Sequence, residues 1–194
     1  MNESQANKTI TYKNIGEIYD TKHKALDDLV GVVSGLTAEQ LAYHPEQGGW
    51  SVTDVLEHLS IVEGGLIRLI TSLTEKAAAA TGPVTSSHSF EVSLEPHLER
   101  SRSEKYITRE NYNPTGTLPA ADAVKHLREI QDAMDALRPR LEPVDPTLVR
   151  FPHWIFGPLD LAQWLGFLGV HEERHLGQLR ALIASPGFPR SRNV

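Results

Sequence analysis

Residues 157–185, GPLDLAQWLGFLGVHEERHLGQLRALIAS, decide the fold because they form the most apolar long segment of the chain. Their apolar side chains recur every three or four residues, which is the spacing of a helix buried along one face. Proline is favoured in the first turn of a helix and prevents a helix from continuing further along the chain. We therefore predict a long helix that begins at Gly157-Pro158, has Asp160 in its first turn and ends before Pro186.

Two histidines interrupt the apolar face of this predicted helix. His171 and His175 are four residues apart, so their side chains lie on the same side of the helix. With a rotation of about 100° per residue, they share that side with Trp164, Leu168 and Leu182. Both imidazoles are therefore predicted to point into a helical core, where they can reach one metal ion.

Three further segments show helical periodicity. The first extends from Ile15 to Ser34, with Asn14 as a suitable N-cap and Glu17 at position N3. Another extends from Pro119 to about Pro139, with proline at its first position. Each carries one apolar stripe, as expected of helices that pack around a common core.

The remaining helix has the clearest start in the sequence. Ser51 is a natural N-cap and Asp54 occupies position N3. Trp50, just before the cap, is placed to pack against Val55 in the first turn. The apolar stripe continues to about Ala80. We therefore predict a helix of nearly 30 residues.

The stretch from Thr81 to Leu118 contains Ser, Pro and Gly and has only weak periodicity. Two antiparallel pairs of helices joined by one long crossover connection would account for it. No strand-like alternation, internal repeat or second domain is evident. The sequence therefore predicts an all-α four-helix bundle, with a single domain over residues 1–194 and the long crossover between the second and third helices.

A third histidine is expected on the inner side of the bundle. His58 lies on the same helix face as Val55 and Val62. A single buried histidine is usually a hydrogen-bonded core residue, but an i, i+4 pair facing a third histidine is harder to explain in that way. Each unsatisfied buried polar group costs about 1–3 kcal/mol, and one divalent cation would satisfy all three rings. We predict that His58, His171 and His175 bind a metal.

Two other metal sites match parts of the same segment. The pattern His171-Glu172-x-x-His175 is the zinc-metalloprotease motif, but no His, Glu or Asp follows to serve as the third ligand. Glu172-x-x-His175 is also half of a di-iron carboxylate signature, and the sequence has no second such pair. The sequence therefore favours neither a protease nor a di-iron protein.

Composition limits the possible functions further. The chain has no cysteine, which excludes disulfides, thiolate ligands and a protein thiol nucleophile. Its net charge of −6 and its one modest basic cluster, which lies between Arg100 and Arg109 and is diluted by glutamates, argue against nucleic-acid binding. No apolar run is long enough to span a membrane, and the polar N-terminus lacks a signal-peptide core. We therefore expect a cytoplasmic protein.

Two motifs resemble the DinB-like superfamily, which includes YfiT-type metal-dependent hydrolases and low-molecular-weight-thiol transferases. The first is Gly48-Gly49-Trp50-Ser51 leading into the segment that contains His58. The second is Phe156-Gly157-Pro158-Leu159 leading into the segment from His171 to Gln178. Helix order, overall length and the long crossover agree with this family, so the resemblance covers nearly the whole chain.

The resemblance implies a four-helix bundle with a divalent metal, commonly zinc or nickel, bound by three histidines. In this sequence those histidines correspond to His58, His171 and His175. It also implies a homodimer and a small-molecule substrate. Characterised members transfer or isomerise with bacillithiol, mycothiol or glutathione, and many members have no known activity.

Three neutral imidazoles leave a coordination position open, as in catalytic rather than structural zinc sites. A bound water then has a pKa lowered toward about 7, and a bound thiol is deprotonated. The expected function is a metal-dependent transferase or hydrolase that attacks a small electrophile with a small-molecule thiol or with water. The alternative is a non-catalytic bundle that binds metal or small molecules in a stress response.

Several other residues are candidates for roles around the metal. On the flank of the histidine face, Glu172 is a candidate proton acceptor, and Gln178 on that face is a candidate hydrogen-bonding group for a bound water or a carbonyl. Asp54 precedes His58 by one turn, so it either orients that imidazole or only caps its helix. The sequence leaves this choice open, with the cap favoured.

Aromatic residues and the remaining loops have weaker signals. Core packing is expected for Trp50, Trp154 and Trp164, in preference to lining a pocket. His153 is expected at the surface, with the entrance of the site as the alternative. Substrate specificity is expected to reside between Thr81 and Leu118 and in the loop around His153.

Overall fold

The computed structural model describes residues 11–81, 91–94 and 109–190. Within these residues, four long helices form a bundle and a one-turn helix lies between the first two. The helices are α1 (Ile15–Val33), α2 (Ala38–Leu41), α3 (Val52–Thr81), α4 (Ala120–Leu141) and α5 (Leu161–Ile183). The predicted all-α four-helix bundle is confirmed. Much of the crossover between α3 and α4, and most of the basic cluster, lies outside the described residues.

The long helices pack in two pairs, and the two pairs also contact each other. Helix α1 packs mainly against α5, and α3 packs mainly against α4. Helix α3 also packs against α5. This contact is the one that matters for the site, because it brings the helix that carries His58 against the helix that carries His171 and His175. None of the described helices is both long enough and apolar enough to cross a membrane.

The helices begin where local side chains satisfy their first backbone N–H groups. The Asn14 side chain accepts a hydrogen bond from the Glu17 N–H at 3.0 Å. At the start of α3, the Ser51 hydroxyl accepts from the Asp54 N–H at 3.1 Å, and the Asp54 carboxylate accepts from the Ser51 N–H at 2.9 Å. These reciprocal bonds satisfy donors that the helix itself cannot pair. Both predicted caps are present.

Two short antiparallel strand pairs correct the expectation that the chain has no strands. Strand β1 (Thr11–Tyr12) pairs with β2 (Val92–Ser93), and β3 (Arg150–His153) pairs with β4 (Gly157–Asp160). Strands of two to four residues are too short for an alternating pattern to stand out. The prolines in β3 and β4 also oppose a strand assignment from sequence.

The last long helix begins at Leu161 and not at Gly157 as predicted, because residues 157–160 form strand β4. Gly157 has a positive φ of 76° and belongs to the β3–β4 hairpin, not to a helix. The N-cap of α5 is Asp160, whose carboxylate accepts from the Gln163 N–H at 2.9 Å. The Gln163 side chain accepts from the Asp160 N–H in return. Asp160 therefore precedes the first turn of α5 and does not lie within it.

Apolar side chains form two clusters along the bundle, each built from residues of all the long helices. One contains Ile18, Ile70, Met134 and Leu168, and the other contains Leu26, Leu56, Leu59, Leu127 and Leu179. Buried polar residues lie between them along α1, α3 and α5. They include Lys22, Glu63 and Glu172, each with no exposed surface.

Candidate metal centre

Three imidazoles from two helices meet inside the bundle. One ring nitrogen each from His58 on α3 and from His171 and His175 on α5 lie within 4.8 Å of one another. The Nε2 atoms of His171 and His175 are 3.2 Å apart. His58 and His175 are almost fully buried, and His171 is half-buried. The structure therefore brings together the three residues that the sequence singled out, and their binding of a metal stays a prediction.

The spacing of these nitrogens fits a tetrahedral cation. Two nitrogens that each bind zinc at 2.0–2.1 Å with a tetrahedral angle are separated by about 3.3 Å. The observed 3.2 Å between the Nε2 atoms of His171 and His175 matches this value. The His58 ring centroid lies 5.4 Å from that of His171 and 4.8 Å from that of His175. The donor set and its spacing are therefore compatible with a single divalent ion.

Hydrogen bonds on the far side of two rings determine which nitrogen is free. Nδ1 of His58 lies 2.7 Å from the Tyr112 carbonyl oxygen. A carbonyl oxygen only accepts, so Nδ1 donates and Nε2 of the neutral ring keeps its lone pair. Nδ1 of His175 lies 2.9 Å from the Gln178 amide oxygen, with the same consequence. Nδ1 of His171 is buried without a hydrogen-bond partner among the described residues.

The electrostatic environment keeps all three rings neutral. Burial lowers the pKa of His58, and it lowers the pKa of His175 to about 3. Burial and repulsion from His175 and His58 hold the pKa of His171 well below its usual range. Neutral imidazole is the form that binds metals. The site is therefore ready to accept a cation at neutral pH without first losing protons.

Gln178 and Asp54 have different roles in the structure. Gln178 lies on the histidine side of α5, as predicted, and its partner is the His175 ring. The Asp54 carboxylate accepts from the backbone N–H and the hydroxyl of Ser51 at 2.9 and 2.8 Å. His58 instead donates a hydrogen bond to the Tyr112 carbonyl. Asp54 therefore caps α3, which was the favoured alternative, and does not orient His58.

Glu172 occupies a buried ion-pair cluster on another side of α5. Its Oε1 lies 2.6 Å from Nζ of Lys22, and Oε2 of Glu63 lies 3.2 Å from the same nitrogen. Burial raises the pKa of both glutamates, while the two carboxylates raise the pKa of Lys22 against the effect of its own burial. One ammonium among two carboxyls is charge-balanced when one carboxyl keeps its proton, and the raised pKa values favour that state.

The same cluster joins α1 closely to α5. A Cβ atom added at Gly169 would meet the Thr21 methyl at 3.2 Å and the Lys22 backbone at 3.4 Å, so glycine eases the close approach of α1 and α5 here. The Lys22–Glu172 contact lies one turn further along α5. The structure thus gives Glu172 an ion-pair partner instead of an open position beside the histidines, which argues against its predicted role as proton acceptor.

Part of the crossover is attached to α3 beside His58. The 3-10 turn Glu110–Tyr112 supplies the carbonyl that holds His58. The adjacent Glu57 carboxylate accepts from the Thr115 hydroxyl at 2.6 Å and from the Gly116 N–H at 2.8 Å. Sequence analysis missed Tyr112 because it acts through a backbone carbonyl, which no side-chain pattern identifies. A buried glutamate next to a predicted ligand was the available signal for Glu57.

Aromatic rings flank the histidines. The Trp50 ring centroid lies 4.7 Å from that of His58 and 6.4 Å from that of His175, nearly parallel to the latter. Phe167 stacks on His171 with the ring centroids 5.6 Å apart. Trp50 therefore borders the site as well as packing against the core. These rings shield the imidazoles from water, which strengthens electrostatic interactions at the site.

The other aromatic predictions had mixed outcomes. Trp164 is buried as expected, whereas Trp154 is 44% exposed, so the expectation of core packing was wrong for Trp154. His153 was expected at the surface but is buried against Phe156 and Phe167. Its Nδ1 accepts from two backbone N–H groups that follow it in the hairpin. Burial in the hairpin was not visible from sequence, because the strands themselves were not.

Comparison with known proteins supports the fold and the family. Residues 23–179, which include all three histidines, match the family model of the DinB superfamily. The uncharacterized protein YuaE of Bacillus subtilis is 26% identical over 156 residues, covering 77% of this chain and 87% of that protein.

Two solved structures are similar. YfiT from Bacillus subtilis, described as a probable metal-dependent hydrolase with an unusual four-helix bundle topology, has a TM-score of 0.58 at 21% identity, over 90% of this chain and 88% of that one. TT2238, a four-helix bundle protein, has a TM-score of 0.53 at 20% identity, over 86% and 98%. At these identities the two structures support the fold alone.

Proposed function

Because the chain belongs to the DinB superfamily and its three histidines converge in the core, we propose that it is a metal-dependent transferase or hydrolase. The observation that carries this proposal is the pair of Nε2 atoms 3.2 Å apart, with His58 beside them. The description of YfiT as a probable metal-dependent hydrolase supports the same reading. Zinc or nickel is the expected metal, because imidazole ligands suit both.

A divalent cation held by three imidazoles supplies a Lewis acid that lowers the pKa of a water or a thiol toward neutrality. The rest of the arrangement belongs to the chain itself. The Tyr112 carbonyl and the Gln178 amide hold two rings with their Nε2 lone pairs free. Trp50 and Phe167 cover the rings from two sides.

The proposed reaction is nucleophilic attack on a small electrophile. Because the chain has no cysteine, a thiol nucleophile would be a small molecule, such as bacillithiol, mycothiol or glutathione, and water is the other candidate. Assembly as a homodimer stays a prediction from the family resemblance. Light scattering coupled to size-exclusion chromatography would test it.

The decisive experiment measures metal content in untagged protein by elemental analysis. Wild-type protein should contain about one divalent ion per chain, and His58→Ala should contain almost none. The matched control is His23→Ala, because His23 lies half-exposed on α1 and pairs with Asp135. His23→Ala should keep its metal. A full complement of metal in folded His58→Ala would contradict the assigned ligand set.

One observation favours a second candidate, a bundle that binds metal or small molecules without catalysis. The two carboxylates expected near the histidines, those of Asp54 and Glu172, are both held in structural contacts. Incubation of metal-loaded protein with the three thiols and with chlorinated or epoxide electrophiles separates the candidates. Metal-dependent consumption of thiol or of electrophile supports the enzyme, and no turnover by metal-loaded protein supports the binding protein.

A further inference from the structure

Arg174 lies at the edge of the histidine face of α5. Each residue rotates the side-chain direction by about 100° around the axis of α5. Arg174 therefore lies about 60° from His171 on one side, and Glu172 lies about 100° from His171 on the other side. Glu172 is fully buried against α1, whereas Arg174 is exposed. Arg174 therefore lies at the solvent-facing edge of the three imidazoles.

The guanidinium of Arg174 makes no hydrogen bond or ion pair with the described residues, although other arginines of the bundle do. Arg138 binds Glu142 at 2.9 Å, and Arg140 binds Glu75 at 3.3 Å. Five N–H donors of Arg174 are therefore available to a ligand. An arginine presents these donors in a planar fork that matches the two oxygens of a carboxylate.

Arg174 places a positive charge at the exposed edge of the histidine face, and the described carboxylates that adjoin the ligands make other contacts. Glu57 and Glu172 each adjoin a predicted metal ligand in sequence, but both carboxylates already have partners. Glu57 accepts hydrogen bonds from the crossover, and Glu172 forms an ion pair with Lys22. A divalent cation on neutral imidazoles would therefore lie near a second positive charge, and neither Glu57 nor Glu172 would be free to balance these charges.

We propose that Arg174 is the anion-binding residue of this site, and that the substrate class is a small organic molecule with a carboxylate beside the atom that approaches the metal. This inference rests on the proposed function and adds to it the identity of the group that recognises the substrate. Trp50 and Phe167 provide apolar walls for the organic part of such a molecule. The carboxylate then pairs with Arg174 at the exposed edge.

The test compares two thiols that differ only in charge, 3-mercaptopropionate and its methyl ester, by isothermal titration calorimetry on zinc-loaded protein at physiological salt. Wild-type protein should bind the acid about 10- to 100-fold more tightly than the ester, as expected for a hydrogen-bonded charge pair. Arg174→Gln should lose most of that preference, and Arg174→Lys should keep part of it. Direct binding of the carboxylate to zinc would also favour the acid, but that preference would persist in Arg174→Gln. The readout is therefore the loss of the preference in this variant.

The matched control is Arg180→Gln. Arg180 is exposed on the same helix, about 180° from His171, and its charge acts on Asp28. Arg180→Gln changes the net charge by the same amount as Arg174→Gln, but it should leave the preference for the acid intact. A preference that persists in Arg174→Gln, or that is lost equally in Arg180→Gln, would overturn the inference.

The same titration separates this inference from the proposed function. Wild-type protein that takes up neither zinc nor nickel would contradict the proposed function, and the inference with it. Protein that binds zinc stoichiometrically but binds acid and ester equally would contradict only the role of Arg174. Circular dichroism and the zinc content of each variant confirm that the fold and the metal site are intact before binding is compared.

Discussion

Two polar clusters lie side by side in the same bundle, and they differ in how their burial is balanced. The first joins Lys22 to Glu63 and Glu172, with Nζ–O distances of 3.2 and 2.6 Å. The second contains His58, His171 and His175. Both clusters contain residues of α3 and α5, and Glu172 of the first cluster directly follows His171 of the second in sequence.

The comparison shows why one cluster is structural and the other is a candidate site. The first contains charges of both signs, so its members compensate one another inside the chain. The second contains three neutral bases whose free nitrogens face one another. The 3.2 Å contact between the Nε2 atoms of His171 and His175 can satisfy only one of those lone pairs, whereas one cation can accept all three. Removing one member should therefore affect stability in the first cluster and metal affinity in the second.

The largest expected effect is the loss of the buried ammonium. Lys22→Met leaves two carboxyls without a cation in a position that has no exposed surface. Breaking a buried ion pair in this way costs about 3–5 kcal/mol. Urea denaturation of metal-free protein measures the change. Lys24→Met is the control, because Lys24 forms an exposed pair with Asp28, whose loss should change stability far less. Equal effects of the two substitutions would show that the Lys22 cluster is not a structural element.

Metal binding should stabilise the protein through the histidines alone. At a free metal concentration 100 times the dissociation constant, the free energy of unfolding should rise by about 2.7 kcal/mol. Urea denaturation with and without zinc measures this difference in wild-type protein, and a chelator should reverse it. The increment should disappear in His175→Ala and persist in His23→Ala. Zinc that stabilises His175→Ala as much as the wild type would place the binding site elsewhere.

The sequence predicted these two clusters unequally. The histidine cluster was recognisable from properties of single helices. His171 and His175 are four residues apart, and His58 lies on the apolar face of its own helix. Lys22 interrupts the apolar stripe between Ile18 and Leu26 at the same four-residue spacing. That signal was available, but its meaning depends on partners from α3 and α5. Which charges meet across helices is decided by tertiary packing, which periodicity in one segment does not encode.

The same distinction holds for the rest of the fold. The caps at Asn14 and Ser51 were predictable because each involves a residue only three positions away. The hydrogen bond from His58 to the Tyr112 carbonyl spans 54 residues and uses a backbone atom. The β3–β4 hairpin was missed because its strands are four residues long and contain prolines. Local chemistry was therefore predictable from the sequence, and of these long-range contacts only the convergence of the three histidines was.

Gln178 distinguishes the two clusters further, because it hydrogen-bonds the predicted metal ligand His175 although its own side chain is exposed. Replacing Gln178 with Ala removes the acceptor for Nδ1 of His175. Loss of such a supporting hydrogen bond typically weakens metal affinity about 10- to 100-fold, while metal-free stability should change by less than about 0.5 kcal/mol. Competition with a chromophoric zinc chelator measures the affinity. Gln178→Glu keeps an acceptor and should retain most of it. A stability loss in Gln178→Ala as large as that of Lys22→Met would remove the distinction between the clusters.

The smallest expected effect tests whether the histidine cluster is independent of general helix stability. Ser51 caps α3 seven residues before His58, and its hydroxyl accepts from the Asp54 N–H. Ser51→Ala should lower the free energy of unfolding by about 1 kcal/mol, and Ser51→Thr, which keeps the hydroxyl, by less. Zinc affinity should be unchanged in both, because the Tyr112 carbonyl and Gln178 hold the imidazoles. A fall in zinc affinity that parallels the loss of stability would mean that the start of α3, and not these two hydrogen bonds, positions His58.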